Sequence, residues 1–202
     1  MSAQTVILKK YLPEVVFIRL LLIVLLVLYH SFAPYCGGWE PLPNQEMIPA
    51  YWWIGKAAYS FMLPAFVFIS DYVYGFQVRT KGVQILTFKK TVYGKFKRLI
   101  IPSIVFSLLY LLVLGDITQP ITTTLYGLIN GVGHMWFLPM LFWCFVCVFI
   151  IEKLKLKTSL VLPLLVFAAV FSFLPLPLRL DNSMFYMIFF YLGYLIQKMR
   201  GL

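Results

Sequence analysis

The chain has 202 residues, of which 62% are hydrophobic and 12% charged, with a formal net charge of +10. Soluble domains average roughly 45–50% apolar and about 25% charged residues, so a water-soluble globular protein is excluded and a polytopic membrane protein is expected. The 17 Lys and Arg residues fall largely between apolar stretches, where they act as orientation signals, so the charge is not read as a nucleic-acid footprint.

Residues 1–12 are short and basic, with Lys9 and Lys10. Pro13 and Glu14 suit a first helical turn, where proline loses no hydrogen bond and an acid meets the positive end of the dipole. The first span, residues 15–32, reads VVFIRLLLIVLLVLYHSF and carries Arg19 and His30. Eleven positions are close to three whole turns, so both side chains fall on one face, roughly 16 Å apart along the axis. An ionisable residue inside a membrane span is a functional candidate, because hydrocarbon does not solvate it. The plainer readings are an Arg19 that snorkels to the near interface and an interfacial His30 with a satisfied hydrogen bond. No small-residue cleavage site follows this span, so no cleavable signal peptide is expected.

Residues 34–49 read as a loop with Cys36, Gly37, Gly38, Glu40 and Glu46 and no Lys or Arg. The second span, about 51–76, opens on Tyr51, Trp52 and Trp53 as an aromatic belt, with Lys56 near that end and Asp71 towards the other. Next comes the most basic segment, with Arg79, Lys81, Lys89, Lys90, Lys95, Lys97 and Arg98 and no acid among them. It is expected on the cytoplasmic face, partly as an interfacial helix. Spans at about 99–114, 134–151, 159–174 and 184–197 complete a set of six. Residues 115–133 are expected to form a loop, 152–157 a basic turn and 175–182 a turn with Arg179 and Asp181. Cys144 and Cys147 are spaced CxxC within an apolar span, which denies a redox or zinc pair its polar partners, so they are read as ordinary buried cysteines.

The basic segments fall on one side of this arrangement. By the positive-inside rule the expected fold is an all-α transmembrane bundle of about six spans with both termini cytoplasmic. Arg19 and Asp71 then lie near the cytoplasmic side, where they would pair if they face each other, and His30 and His134 lie near the outer side.

Five features, in order along nearly the whole chain, resemble the membrane-bound acyltransferase 3 family, bacterial enzymes that O-acylate sugars. They are Arg19 and His30 separated by ten residues; Ile69-Ser70-Asp71-Tyr72, where the family tends to show Ser-Gly-Phe/Tyr-Leu; and Lys97-Arg98-Leu99-Ile100-Ile101-Pro102. The last two are His134-Met135-Trp136-Phe137-Leu138-Pro139, close to the family's His-Leu-Trp-Phe-Leu, and Phe189-Phe190-Tyr191-Leu192-Gly193-Tyr194. Asp71 departs from the family's glycine. Members usually have about ten helices, so the resemblance implies a single acyltransferase-3-like domain over residues 1–202, truncated at the C-terminus.

The resemblance implies a membrane-bound acyltransferase, transferring groups other than amino-acyl groups, that moves an acetyl or other acyl group from acyl-CoA to a hydroxyl of a cell-surface or exported carbohydrate. It also implies a multi-pass protein of the bacterial cytoplasmic membrane, with the lipid bilayer as a partner and no metal. Arg19, Lys97 and Arg98 are the candidates for the CoA phosphates, since a guanidinium fork matches phosphate oxygens. His30 is the candidate base, because an unperturbed imidazole pKa of about 6.5 lets it take a hydroxyl proton near neutral pH; an acyl-histidine intermediate is the alternative. His134 and Trp136 are candidates for the acceptor site. Trp136 as a belt residue and Arg98 as a topology anchor are the structural alternatives. A small transporter and a catalytically inactive membrane protein are the competing functions.

Overall fold

The computed structural model describes residues 12–35, 46–82, 86–114 and 120–200. Lys9, Lys10, Cys36, Gly37, Gly38, Glu40 and Asp116 lie outside the described residues. Among those described, regular structure is helical throughout, as expected for an all-α bundle. The helices are α1 (Pro13–Phe32), α2 (Pro49–Lys81), α3 (Ile101–Leu114), α4 (Ile121–Asn130), α5 (Phe137–Lys153), α6 (Thr158–Val170) and α7 (Leu180–Met199). The chain divides into two compact units between Ser70 and Asp71, inside α2.

Among the described residues, four stretches are long and apolar enough to cross a membrane: Pro13–Tyr35, Pro49–Lys81, Lys89–Val113 and Gly133–Lys153. The other two expected spans are α6 and α7. With 13 residues α6 covers about 20 Å, less than the hydrocarbon thickness of about 30 Å. The 20 residues of α7 have the length, but Asp181, Asn182, Gln197 and Lys198 make it more polar.

In the first unit, aromatic rings join α1 to the start of α2. Tyr29 lies 4.9 Å from Tyr59 and Phe32 lies 4.9 Å from Tyr51, centroid to centroid. Tyr35 meets Tyr51 edge-on, and its carbonyl accepts a hydrogen bond from the Ile48 amide.

In the second unit, α5 and α7 form the core. Their buried residues recur at helical spacing: Leu141, Cys144, Phe145 and Val148 on α5, and Ser183, Tyr186, Met187, Phe190, Tyr191 and Tyr194 on α7. The two helices run parallel, tied at one end by Ser183 Oγ donating to the Met140 carbonyl and at the other by the Lys198–Glu152 ion pair of 2.8 Å. The intervening helix, α6, packs against α7.

Two expectations are corrected. The loop expected at 115–133 contains α4, which starts after Pro120 and places Ile121, Leu125, Leu128 and Ile129 at helical spacing. The third span does not begin near residue 99. It begins with two π-helical turns, Lys89–Tyr93 and Phe96–Ile100, that run without a break into α3 and pack along α5. Lys95, Lys97 and Arg98 therefore lie on the same unbroken helix as α3. Phe96 meets Phe142, in the middle of the Gly133–Lys153 stretch, edge-on at 6.1 Å.

Candidate functional site

Arg19 and His30 sit on one unbroken helix, so the geometry of their shared face holds. The buried residues of α1 are Val15 and Leu22. At 100° per residue Arg19 and His30 stand about 40° and 60° from Val15, while the far side carries the exposed Phe17, Leu20, Val24 and Leu28. Arg19 is exposed and His30 half-buried. The His30 ring lies 5.6 Å from that of Tyr29, inside the aromatic layer that joins α1 to α2. This layer continues through Trp52 and Trp53, with the Lys56 ammonium 5.7 Å from the Trp52 ring, as in an interfacial belt.

The second unit holds the other four candidates. Lys97 and Arg98 are exposed neighbours on the second π-helical turn, and the Lys97 ammonium lies 4.9 Å from the Tyr93 ring. π-Helical turns are rare and recur at functional sites, because the extra residue per turn re-aims side chains. Both lie in the first turn of the apolar stretch that continues through α3, where an exposed cation meets water or an anionic partner more readily than lipid.

His134 and Trp136 belong to the short 3₁₀ turn Gly133–Trp136 that leads into α5. Gly131 makes this turn possible. Its φ is +78°, and a Cβ there would come within 2.6 Å of the Met135 and Trp136 backbone. Ser107 Oγ accepts a hydrogen bond from the Val132 amide at 3.0 Å and anchors the turn on α3. His134 is exposed, while Trp136 is half-buried with its ring 6.1 Å from that of Tyr186 on α7. Arg179 Nε donates to the Asn130 carbonyl at 3.0 Å, joining the start of α7 to the end of α4. Within this unit, then, Lys97 pairs with Arg98 on one helix and His134 with Trp136 in one turn.

Sequence reasoning missed a third cluster. Asp71, Tyr74, Thr91, Tyr194 and Gln197 are buried together where α2, the first π turn and α7 meet, with half-buried Lys95 beside them. Tyr74 Oη and Thr91 Oγ1 are hydrogen-bonded at 3.0 Å. The Lys95 ammonium lies 3.4 Å from the Phe145 ring centroid and 5.4 Å from that of Tyr74. Neither Asp71 oxygen and neither polar atom of the Gln197 amide has a hydrogen-bond partner. The available signal was the spacing: Asp71 and Tyr74 are three apart on α2, and Thr91 and Lys95 are four apart on the helix that returns beside it.

Cys144 is buried and Cys147 half-buried, both as free thiols. Among the described residues no three His, Cys, Asp or Glu side chains gather as metal ligands.

Apolar helices of membrane-spanning length among the described residues are those of a multi-pass membrane protein. The sequence profile of the acyltransferase domain family matches residues 13–201, nearly the whole chain, and the chain belongs to that family, acyltransferase 3. No curated protein and no solved structure matches it.

Proposed function

We propose that this chain is an O-acyltransferase that moves an acyl group, acetyl in the simplest case, from acyl-CoA to a hydroxyl of a cell-surface or exported carbohydrate. The family match over residues 13–201 carries this reading. Its chemistry is borne by residues of this chain. Arg19, Lys97 and Arg98 offer cations to the phosphates of CoA, and the exposure of Lys97 and Arg98 leaves their charges open to an anionic partner. His30 takes the proton of the acceptor hydroxyl as its oxygen bonds to the acyl carbon. The carbon–sulfur bond then breaks, and the CoA sulfur leaves as thiol with the proton returned from the imidazolium. His134 and Trp136 serve the acceptor, Trp136 through its flat face and its indole N–H.

In this reading the basic connections favour cytoplasmic termini, and membership of the family favours a bacterial cytoplasmic membrane. Donor and acceptor would then reach it from opposite sides. The test is expression of the chain in cells supplied with radiolabelled acetyl-CoA precursor, followed by extraction of envelope glycan. Base-labile label in the glycan, absent from cells with empty vector, is the expected result; equal label in both would overturn the reading.

A further inference from the structure

Tyr74 and Thr91 fix the register between two antiparallel stretches. The hydrogen bond between their hydroxyls joins the C-terminal part of α2 to the helix that returns through Lys89–Ile100. Asp71 lies three residues before Tyr74 and Lys95 four residues after Thr91. In antiparallel helices both steps go the same way along the bundle, by about 4.5–6 Å, so Asp71 and Lys95 stand level, one turn from the Tyr74–Thr91 pair.

Asp71 is fully buried and its carboxylate accepts no hydrogen bond. Lys95 rests its ammonium on the faces of Phe145 and Tyr74. Among the described residues, the charged side chains near enough to act on Asp71 are Lys95 and Glu152, an acid already bonded to Lys198. One turn from Asp71, Gly75 approaches α7 so closely that a Cβ would lie 2.9 Å from Gln197 Cβ, and the Gln197 amide there is also buried without a partner. A lone carboxylate at this depth is unfavourable, whereas a level ammonium compensates it.

We propose that Asp71 and Lys95 form a buried ion couple that sets the position of the π-helical segment and thereby aims Lys97 and Arg98 at an anionic ligand. They are positioning residues, since neither is asked to touch the ligand. Lys97 and Arg98 follow Lys95 by two and three residues on the same unbroken helix. The identity of that ligand as the phosphates of CoA rests on the functional reading above.

The test uses Asp71→Asn, Lys95→Met and the double variant in the full chain, reconstituted in lipid nanodiscs. Thermal midpoints are recorded, and binding of radiolabelled CoA is measured at a temperature where each variant is folded. Lys95→Met leaves the buried Asp71 carboxylate without its opposite charge and Asp71→Asn leaves half-buried Lys95 without its own, so each should lower the midpoint and weaken CoA binding by about tenfold or more; the double removes both charges and should recover CoA binding to within about threefold of the parent. Singles that bind CoA like the parent, or a double whose losses equal the sum of the singles, would overturn the couple. Where a single does not fold, the double decides: folded and CoA-binding supports the couple, unfolded overturns it. A parent that binds no CoA removes the donor reading, while the midpoints of the four proteins still decide the couple.

Discussion

Arg19 and His30 lie eleven residues apart on one unbroken helix, so their side chains leave α1 within about 20° of each other and roughly 16 Å apart along its axis. Both stand on the flank of the line of Val15 and Leu22, away from the exposed Phe17, Leu20 and Val24. A cation and a titratable base on one flank, one near each end of a membrane-length helix, are what the proposed acyl transfer uses.

Topology gives the first prediction. In a cysteine-free background, a thiol placed at Glu46 should react with an impermeant maleimide in intact cells, and one at Lys90 should react only after lysis. Glu46 is exposed ahead of α2, and Lys90 lies at the start of the helix that follows it. The reverse pattern would invert the sides assigned to His30 and to the basic segment.

Gly75 gives the second. A Cβ there meets Gln197 Cβ at 2.9 Å and the Tyr194 ring at 3.3 Å, so α2 and α7 approach through a missing side chain, as small residues permit in membrane bundles. Gly75→Ala should destabilise the second unit by about 1–3 kcal/mol, the usual cost of overpacking. Thermal unfolding in detergent checks this, and an unchanged midpoint would mean that α7 yields freely.

Gly131 gives the third. Its φ of +78° alone costs an alanine about 1–2 kcal/mol, and the 2.6 Å approach to the Met135 and Trp136 backbone adds to that. Gly131→Ala should therefore lower the unfolding midpoint and displace Trp136 from Tyr186. The readout is loss of Trp136 fluorescence shielding in a variant that keeps Trp136 as its sole tryptophan. A midpoint and quenching profile equal to the parent's would show that the turn tolerates a side chain.

The helical class was legible in the sequence because long apolar runs leave a spanning chain few other options. α1 was legible almost to the residue, since Pro13 and Glu14 mark its start. The start of the third helix was set too late because a charge run ordinarily interrupts an apolar helix. Here Lys95 is sheltered by Phe145 and Tyr74 from other helices, contacts that composition does not reveal. α4 was missed because three successive threonines and the glycines at 115, 127, 131 and 133 argue for a loop, while tertiary packing on α3 outweighs that weak propensity.

The central claim is that His30 is the base and Arg19 a donor-binding residue, and one paired measurement tests it most directly. In membranes where the parent chain transfers label from radiolabelled acetyl-CoA to glycan, rate and CoA affinity are measured for His30→Ala and Arg19→Ala. The His30 variant should keep CoA binding near the parent value and lose roughly 10²–10⁴-fold in rate, the contribution of a positioned base. The Arg19 variant should bind CoA more weakly and regain rate as donor concentration rises. Transfer by His30→Ala at the parent rate would contradict the account and leave His30 a structural member of the Tyr29–Tyr59 aromatic layer.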